Sequence, residues 1–182
     1  MSNEITKPKK SELALKNPAE LRDLSLWNAR MSFSPPKKWL KIHPIAKSLY
    51  LPIDKVELLL MRYYPKHRIE IIKTEIMFHS IAVSVRVHYC HPITGEWSFF
   101  DGVGAAPVQT DSGKSASELQ YIKSNAITLA LPIAKSVAIK DACHHFGRLF
   151  GKDLNRKDIE EFTSAYADYE DDVVDVKIEP NE

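Results

Sequence analysis

Two periodicities alternate along the chain. Leu21, Leu24 and Trp27 recur at helical spacing behind Asn17-Pro18, an N-cap residue and a first-turn proline, and predict a helix to about Asn28. A second helix is predicted over Ile53 to Tyr64, with Val56, Leu59, Leu60 and Tyr63 on one face and Pro65 as its stop. Between them, Pro35 to Pro44 is punctuated by prolines around Trp39. The period then falls to two: Ile69, Ile71, Thr74, Ile76 and Phe78, next Ile81, Val83, Val85, Val87 and Tyr89, and finally Trp97 and Phe99. Three antiparallel strands follow, about 68–78, 81–90 and 96–105, with HPITGE (residues 91–96) as the hairpin turn between the last two. Helical spacing returns from about Ser117, with Pro132 expected to divide the segment. The last helix, near Leu131 to Phe150, is expected to turn Ile133, Ala134, Val137, Ala138, Phe146 and Leu149 toward the sheet. The pattern is α+β: a three-stranded antiparallel sheet, a β-β-β-α core, packed on helices. Its edge strands, and the small residues Ala134, Ala138 and Ala142 on the helix, would offer surfaces for lateral packing of subunits.

Composition places this pattern in an ordinary globular domain: 182 residues, 44% hydrophobic and 27% charged. No apolar run approaches the roughly 20 residues that cross a bilayer, and MSNEITKPKK resembles neither a secretory signal nor a transit peptide. Two cysteines, Cys90 and Cys143, make no disulfide framework, so a reducing cytoplasmic setting and no membrane partner are expected. Charge divides the chain more sharply than its net of +1 suggests. Residues 157–182 hold ten acids against Lys157 and Lys177, a net of −8, while the preceding 156 residues hold 23 bases against 14 acids, a net of +9. That asymmetry suits a polyanion-binding body with an acidic tail, and equally a solvated tail without a partner. The expected organisation is a flexible segment 1–16, one domain 17–156 and the acidic tail 157–182.

Several chemistries fail on their own requirements. DGVGAAPVQTDSGKS (residues 101–115) mixes glycines with Gly-Lys-Ser, but a phosphate-binding P-loop needs glycine where Val108 stands, and a dinucleotide fingerprint needs one at Pro107. Gly102 and Gly104 are read instead as permitting a bend or bulge at the close of the third strand. His88, Cys90 and His91, and Cys143 beside His144 and His145, lack zinc-finger or ribbon spacing, so no metal is expected. Acids in the body are scattered, and no SxxK, GxSxG or HExxH string occurs. No catalytic residue is assigned.

Basic residues interleaved with aromatics are better represented. Lys55, Arg62, Tyr63, Tyr64, Lys66, His67 and Arg68 gather where the second helix enters the sheet, and Lys114, Lys123, Lys135, Lys140, Arg148, Lys152 and Arg156 run through the C-terminal half. Lysines of this kind neutralise phosphates, and tyrosine rings stack on unpaired bases. An ordinary solvated basic face with core tyrosines has the same pattern.

Three strings, in order, resemble the Rad-fifty-two superfamily of single-strand annealing proteins, which includes phage annealing proteins. They are YLPIDKV (50–56), SIAVSVRVHYCHPITGEWSFFDGVGAA (80–106), with its Val-Arg-Val string around Arg86 and an acid followed by two closely spaced glycines, and AIKDACHHFGRLFG (138–151). The resemblance covers about residues 50–151. It implies a β-β-β-α core, assembly into rings or filaments, and single-stranded DNA held in a basic groove with its bases free for pairing. It also implies recombination or repair without ATP, cofactor, metal or bond chemistry, in a bacterial host cell if the chain is phage-encoded. By position, Lys55 and Lys140 match groove residues and Lys114 falls near a lysine on a second DNA path; Arg62, Tyr64, Lys66, Arg86, Lys123, Lys135, His144 and Arg148 complete the expected contacts. Asp141 and His144 stand where the family often has arginines. The expected partners are single-stranded DNA, further copies of the chain and, through the acidic tail, a replication or single-strand-binding protein. A metal-dependent nuclease and a non-annealing repair scaffold are the alternatives.

Overall fold

A computed structural model describes residues 18–44, 46–77, 79–110 and 122–157, apart from the side chain of Pro18. Lys114, the N-cap Asn17 and all of the acidic tail beyond Lys157 therefore lie outside the described residues. The chain divides into two units. Within the first, 18–30 are described and are helical; the second, Met31–Ile159, contains the sheet. The division falls inside helix α1 (Pro18–Ser32), which the expected domain 17–156 had kept with the rest.

In the second unit a short 3-10 turn (Lys37–Trp39) leads into a two-stranded ribbon, β1 (Lys41–Ile42) and β2 (Leu49–Tyr50), followed by α2 (Ile53–Tyr63). The ribbon has two-residue strands, too short for alternation to announce it. Three strands of eleven residues then form the sheet: β3 (His67–Met77), β4 (Ser80–Cys90) and β5 (Trp97–Pro107), antiparallel with β4 in the centre. The long helix α3 (Ala126–His144) lies across β4 and β5, and a 3-10 turn (Arg148–Phe150) closes the unit. The expected α+β architecture is present.

Alternation on β4 explains why the sheet has a covered face. Ile81, Val83, Val85 and Val87 are buried under α3, while Ser84, Arg86 and His88 point the other way. On β5 the covered positions are Gly102, Gly104 and Ala106. A Cβ on Gly102 would strike the Ala138 carbonyl and the Ala142 amide, and one on Gly104 would strike the Ala134 carbonyl and the Ala138 amide. Pairing with β4 runs unbroken through both glycines. They form no bulge, contrary to expectation; they bring helix backbone onto strand backbone.

The helix corrects three further expectations. Ile122 bridges to Thr110, and the helix starts only at Ala126, so residues 122–125 are not helical. Pro132 does not divide it: the helix passes through, and the Ser136 hydroxyl donates to the Pro132 carbonyl at 2.8 Å. Its sheet-facing stripe is Ala126, Ala130, Ala134, Ala138 and Ala142, spaced by four, whereas Ile133 and Val137 are exposed. The alanines expected at a subunit contact are thus consumed inside the fold, because close approach to the glycines demands small side chains there. Beyond the helix end, Phe146 packs against Tyr64, Tyr89 and Phe100, with ring centroids 4.3, 4.8 and 5.2 Å away.

Candidate nucleic-acid interface

A half-open groove of about 260 Å³ runs along the β5 side of α3. Its walls are Tyr50 and its neighbours from β2, Val103 from β5, Val137, Lys140, Asp141 and His144 from α3, and Gly151, Leu154 and Asn155 from the closing turn. Each wall is fixed by a local cause. Asn155 uses its side-chain amide as a mock strand, accepting from the Leu49 amide at 2.7 Å and donating to the Leu49 carbonyl at 2.9 Å. Asp141 accepts the outward amide of Val103 at 3.0 Å, which ties the helix to the strand edge. Gly151 adopts φ 96°, a left-handed turn that favours glycine, so the chain folds back beside His144.

Lys140 is the cation in this groove, and Asp141, the carboxylate beside it in the lining, is engaged by the Val103 amide. Its ammonium lies over the Tyr50 ring, 5.3 Å from the centroid, with no carboxylate in ion-pair contact among the described residues. Partial burial pulls its pKa below the usual lysine range. His144, one turn onward, is held below the ordinary histidine pKa chiefly by burial, with Lys140 and His145 adding to the effect and Asp141 and Asp153 opposing it. The ring of His145 stacks on Phe100, 5.1 Å away, so the two adjacent histidines take separate roles.

The other expected contacts are spread over the unit. Lys55 sits over Trp39 at 5.8 Å and pairs with Asp54 at 3.1 Å, which lowers the Asp54 pKa. Arg62 is exposed beside Tyr63, and Lys66, Lys123 and Lys135 are exposed and do not line this groove. Arg148 donates to the Ser34 hydroxyl at 2.9 Å. Tyr64, expected to stack on bases, is 3% exposed and belongs to the aromatic core; a tyrosine at the end of an amphipathic helix serves packing here. Arg86 lies on the uncovered face of the sheet. Asp101 takes its guanidinium in two bonds of 2.7 and 2.8 Å, which raises the Arg86 pKa and lowers that of Asp101. The same guanidinium stacks over Phe99 at 4.0 Å.

The sulfur and imidazole groups are engaged separately. His88 Nε2 donates to Glu70 at 2.9 Å, Cys90 to the Gly95 carbonyl at 3.3 Å, and His91 accepts the Ile93 and Thr94 amides inside the hairpin turn. Cys143 is fully buried, its thiol pushed up to about 12 by that burial. Among the described residues no cluster of three or more His, Cys, Asp or Glu is gathered around a metal-sized centre.

Sequence reasoning missed the residues that shape the groove. Tyr50 stood in YLPIDKV as part of a string, and its place under Lys140 depends on a contact 90 positions away. Asn155 and Asp141 act through backbone groups that leave no mark in sequence. Exposed Trp97 and Phe99 were read as strand positions, correctly, but the side they face became plain only from the pairing. No helix among the described residues is long and apolar enough to cross a membrane. No protein-family model matches the chain, and no curated protein matches it.

Proposed function

We propose that the protein binds single-stranded DNA and anneals complementary strands without ATP, as an oligomer of the Rad-fifty-two type acting in recombination or repair. The carrying observation is Lys140, a sheltered cation with no acidic partner among the described residues, set over an aromatic ring at the mouth of an open groove. Annealing requires that phosphates be neutralised so two polyanions approach, and that base edges stay free of protein. A lysine beside a tyrosine supplies charge and a stacking surface without a base-reading fork. Support also comes from where the three resembling strings fall. The first leads from β2 into α2, the second spans β4 to β5, and the third runs from the second half of α3 through the closing turn.

The test is pairing of complementary oligonucleotides by purified protein, followed by a fluorescence reporter, with no nucleotide present. Faster pairing, and single-strand affinity that falls steeply with salt, are expected. Pairing no faster than in buffer, or affinity indifferent to salt, overturns the reading.

A further inference from the structure

Among the described residues no strand pairs with the outer edge of β3, and we propose that this edge pairs with the β3 edge of a second copy of the chain, antiparallel and about a two-fold axis. α3 covers β4 and β5 but leaves β3 uncovered, so Ile71, Ile72 and Ile76 stand 52, 49 and 65% exposed. An eleven-residue edge strand that leaves these apolar side chains exposed is a template for another strand.

Charge selects the occupant. On the face away from α3, β3 reads Arg68, Glu70, Lys73, Glu75, and Arg68–Glu70 and Lys73–Glu75 are bridged within the strand, at 3.3 and 2.6 Å. Charges of one sign would repel a copy. This alternating row, reversed against itself, sets Arg68 opposite the second copy's Glu75 and Glu70 opposite its Lys73. Both pairs need the same register, with the axis between Ile71 and Ile72. In a regular strand that register would put side chains of opposite faces together. The irregularity at Ile72 removes the conflict: the pairing with β4 slips there by one residue, so Glu70 and Lys73 share a face although three apart. The β5 edge is a poorer partner, since Asp141 occupies its Val103 amide and Pro107 has no amide to offer.

A two-fold pairing of this kind closes at two chains, so a longer assembly grows through another surface. The inference specifies one contact in the oligomer proposed above and rests on the fold, not on DNA binding. A monomeric chain that still anneals strands would remove the pairing and leave that activity standing.

The test is disulfide trapping of full-length protein in a Cys90→Ser background. Glu70→Cys with Lys73→Cys should give a covalent dimer on mild oxidation, and Glu70→Cys with Glu75→Cys, out of register, should not. In the native-cysteine chain, Lys73→Glu should raise the dimer dissociation constant about tenfold, and adding Glu70→Lys should restore it, as measured by sedimentation. Circular dichroism checks that each variant is folded. A monomer at about 100 μM, a concentration that detects even weak pairing, equal trapping by both cysteine pairs, or no recovery on charge exchange overturns the proposal.

Discussion

The two edges of the sheet are strands of equal length paired to the same central strand, yet they are finished in opposite ways. Along β5 the helix backbone rests on Gly102 and Gly104, Asp141 occupies an edge amide, and the groove with Lys140 opens beside it. Along β3 no helix among the described residues intervenes, apolar side chains remain exposed, and the cations Arg68 and Lys73 are matched by acids. Among the described residues one edge is consolidated and lies beside a cation without an acidic partner, whereas the other is unfinished and electrically balanced. A cation balanced by a neighbouring carboxylate has less to offer a phosphate, so the polyanion contact we propose is placed on the β5 side.

The largest effect that breaks this comparison comes from Gly104→Val. The branched side chain collides with helix backbone that cannot move aside without parting from the sheet, and a loss of at least about 3 kcal/mol is expected in urea unfolding. Ile71→Thr, on the bare edge, should change unfolding of dilute protein by no more than about 0.5 kcal/mol. Equal effects at the two positions would refute the asymmetry. A smaller loss, about 1–2 kcal/mol, is expected for Asp141→Ala, because the Val103 amide loses a charged acceptor. Hydrogen exchange should show that amide losing protection while Val85, in the central strand, keeps its own.

These positions also show what the sequence could and could not reveal. Alternation from Ile81 to Tyr89 gave β4 directly, since a strand buried on one face repeats every second residue, and Pro-Ile-Thr-Gly gave the hairpin turn. The glycines were visible but ambiguous: a bulge and a close helix contact both require the absence of a Cβ, and only α3 lying above them decides. The helix face was misread because apolar size suggested Ile133 and Val137, whereas the close approach selected alanine. At the site, Lys140 was legible as a basic residue in a resembling string. Its lack of an acidic partner among the described residues and the ring beneath it arise from contacts made in folding. Tyr64 and Arg86 illustrate the reverse: plausible residue types whose packing or pairing is already complete.

The comparison sharpens in binding. Lys140→Ala should weaken single-strand affinity about five- to tenfold and lower the magnitude of the salt slope by about 1, as expected for loss of one phosphate contact. Lys73→Ala should leave both nearly unchanged, because its partner Glu75 lies 2.6 Å away. Anisotropy titrations at several salt concentrations check the pair, and equal losses would place DNA on both edges.

The smallest effect is a pH dependence at His144. Burial, with Lys140 and His145 nearby, holds its pKa in the folded protein below the ordinary histidine value despite Asp141 and Asp153. An unfolded histidine takes one near pH 6.5, so the neutral ring's contribution to stability is full above about that pH and is lost as pH falls. A phosphate in the groove reverses the local field and favours the imidazolium, so binding draws in a proton. Single-strand affinity at fixed ionic strength should therefore rise a few-fold from about pH 8 to pH 6, while the free protein becomes less stable over the lower part of that range. His144→Gln should flatten the binding profile and keep the Lys140 salt effect. If the variant retains the native pH slope, the proton is taken up elsewhere and the DNA path does not pass His144.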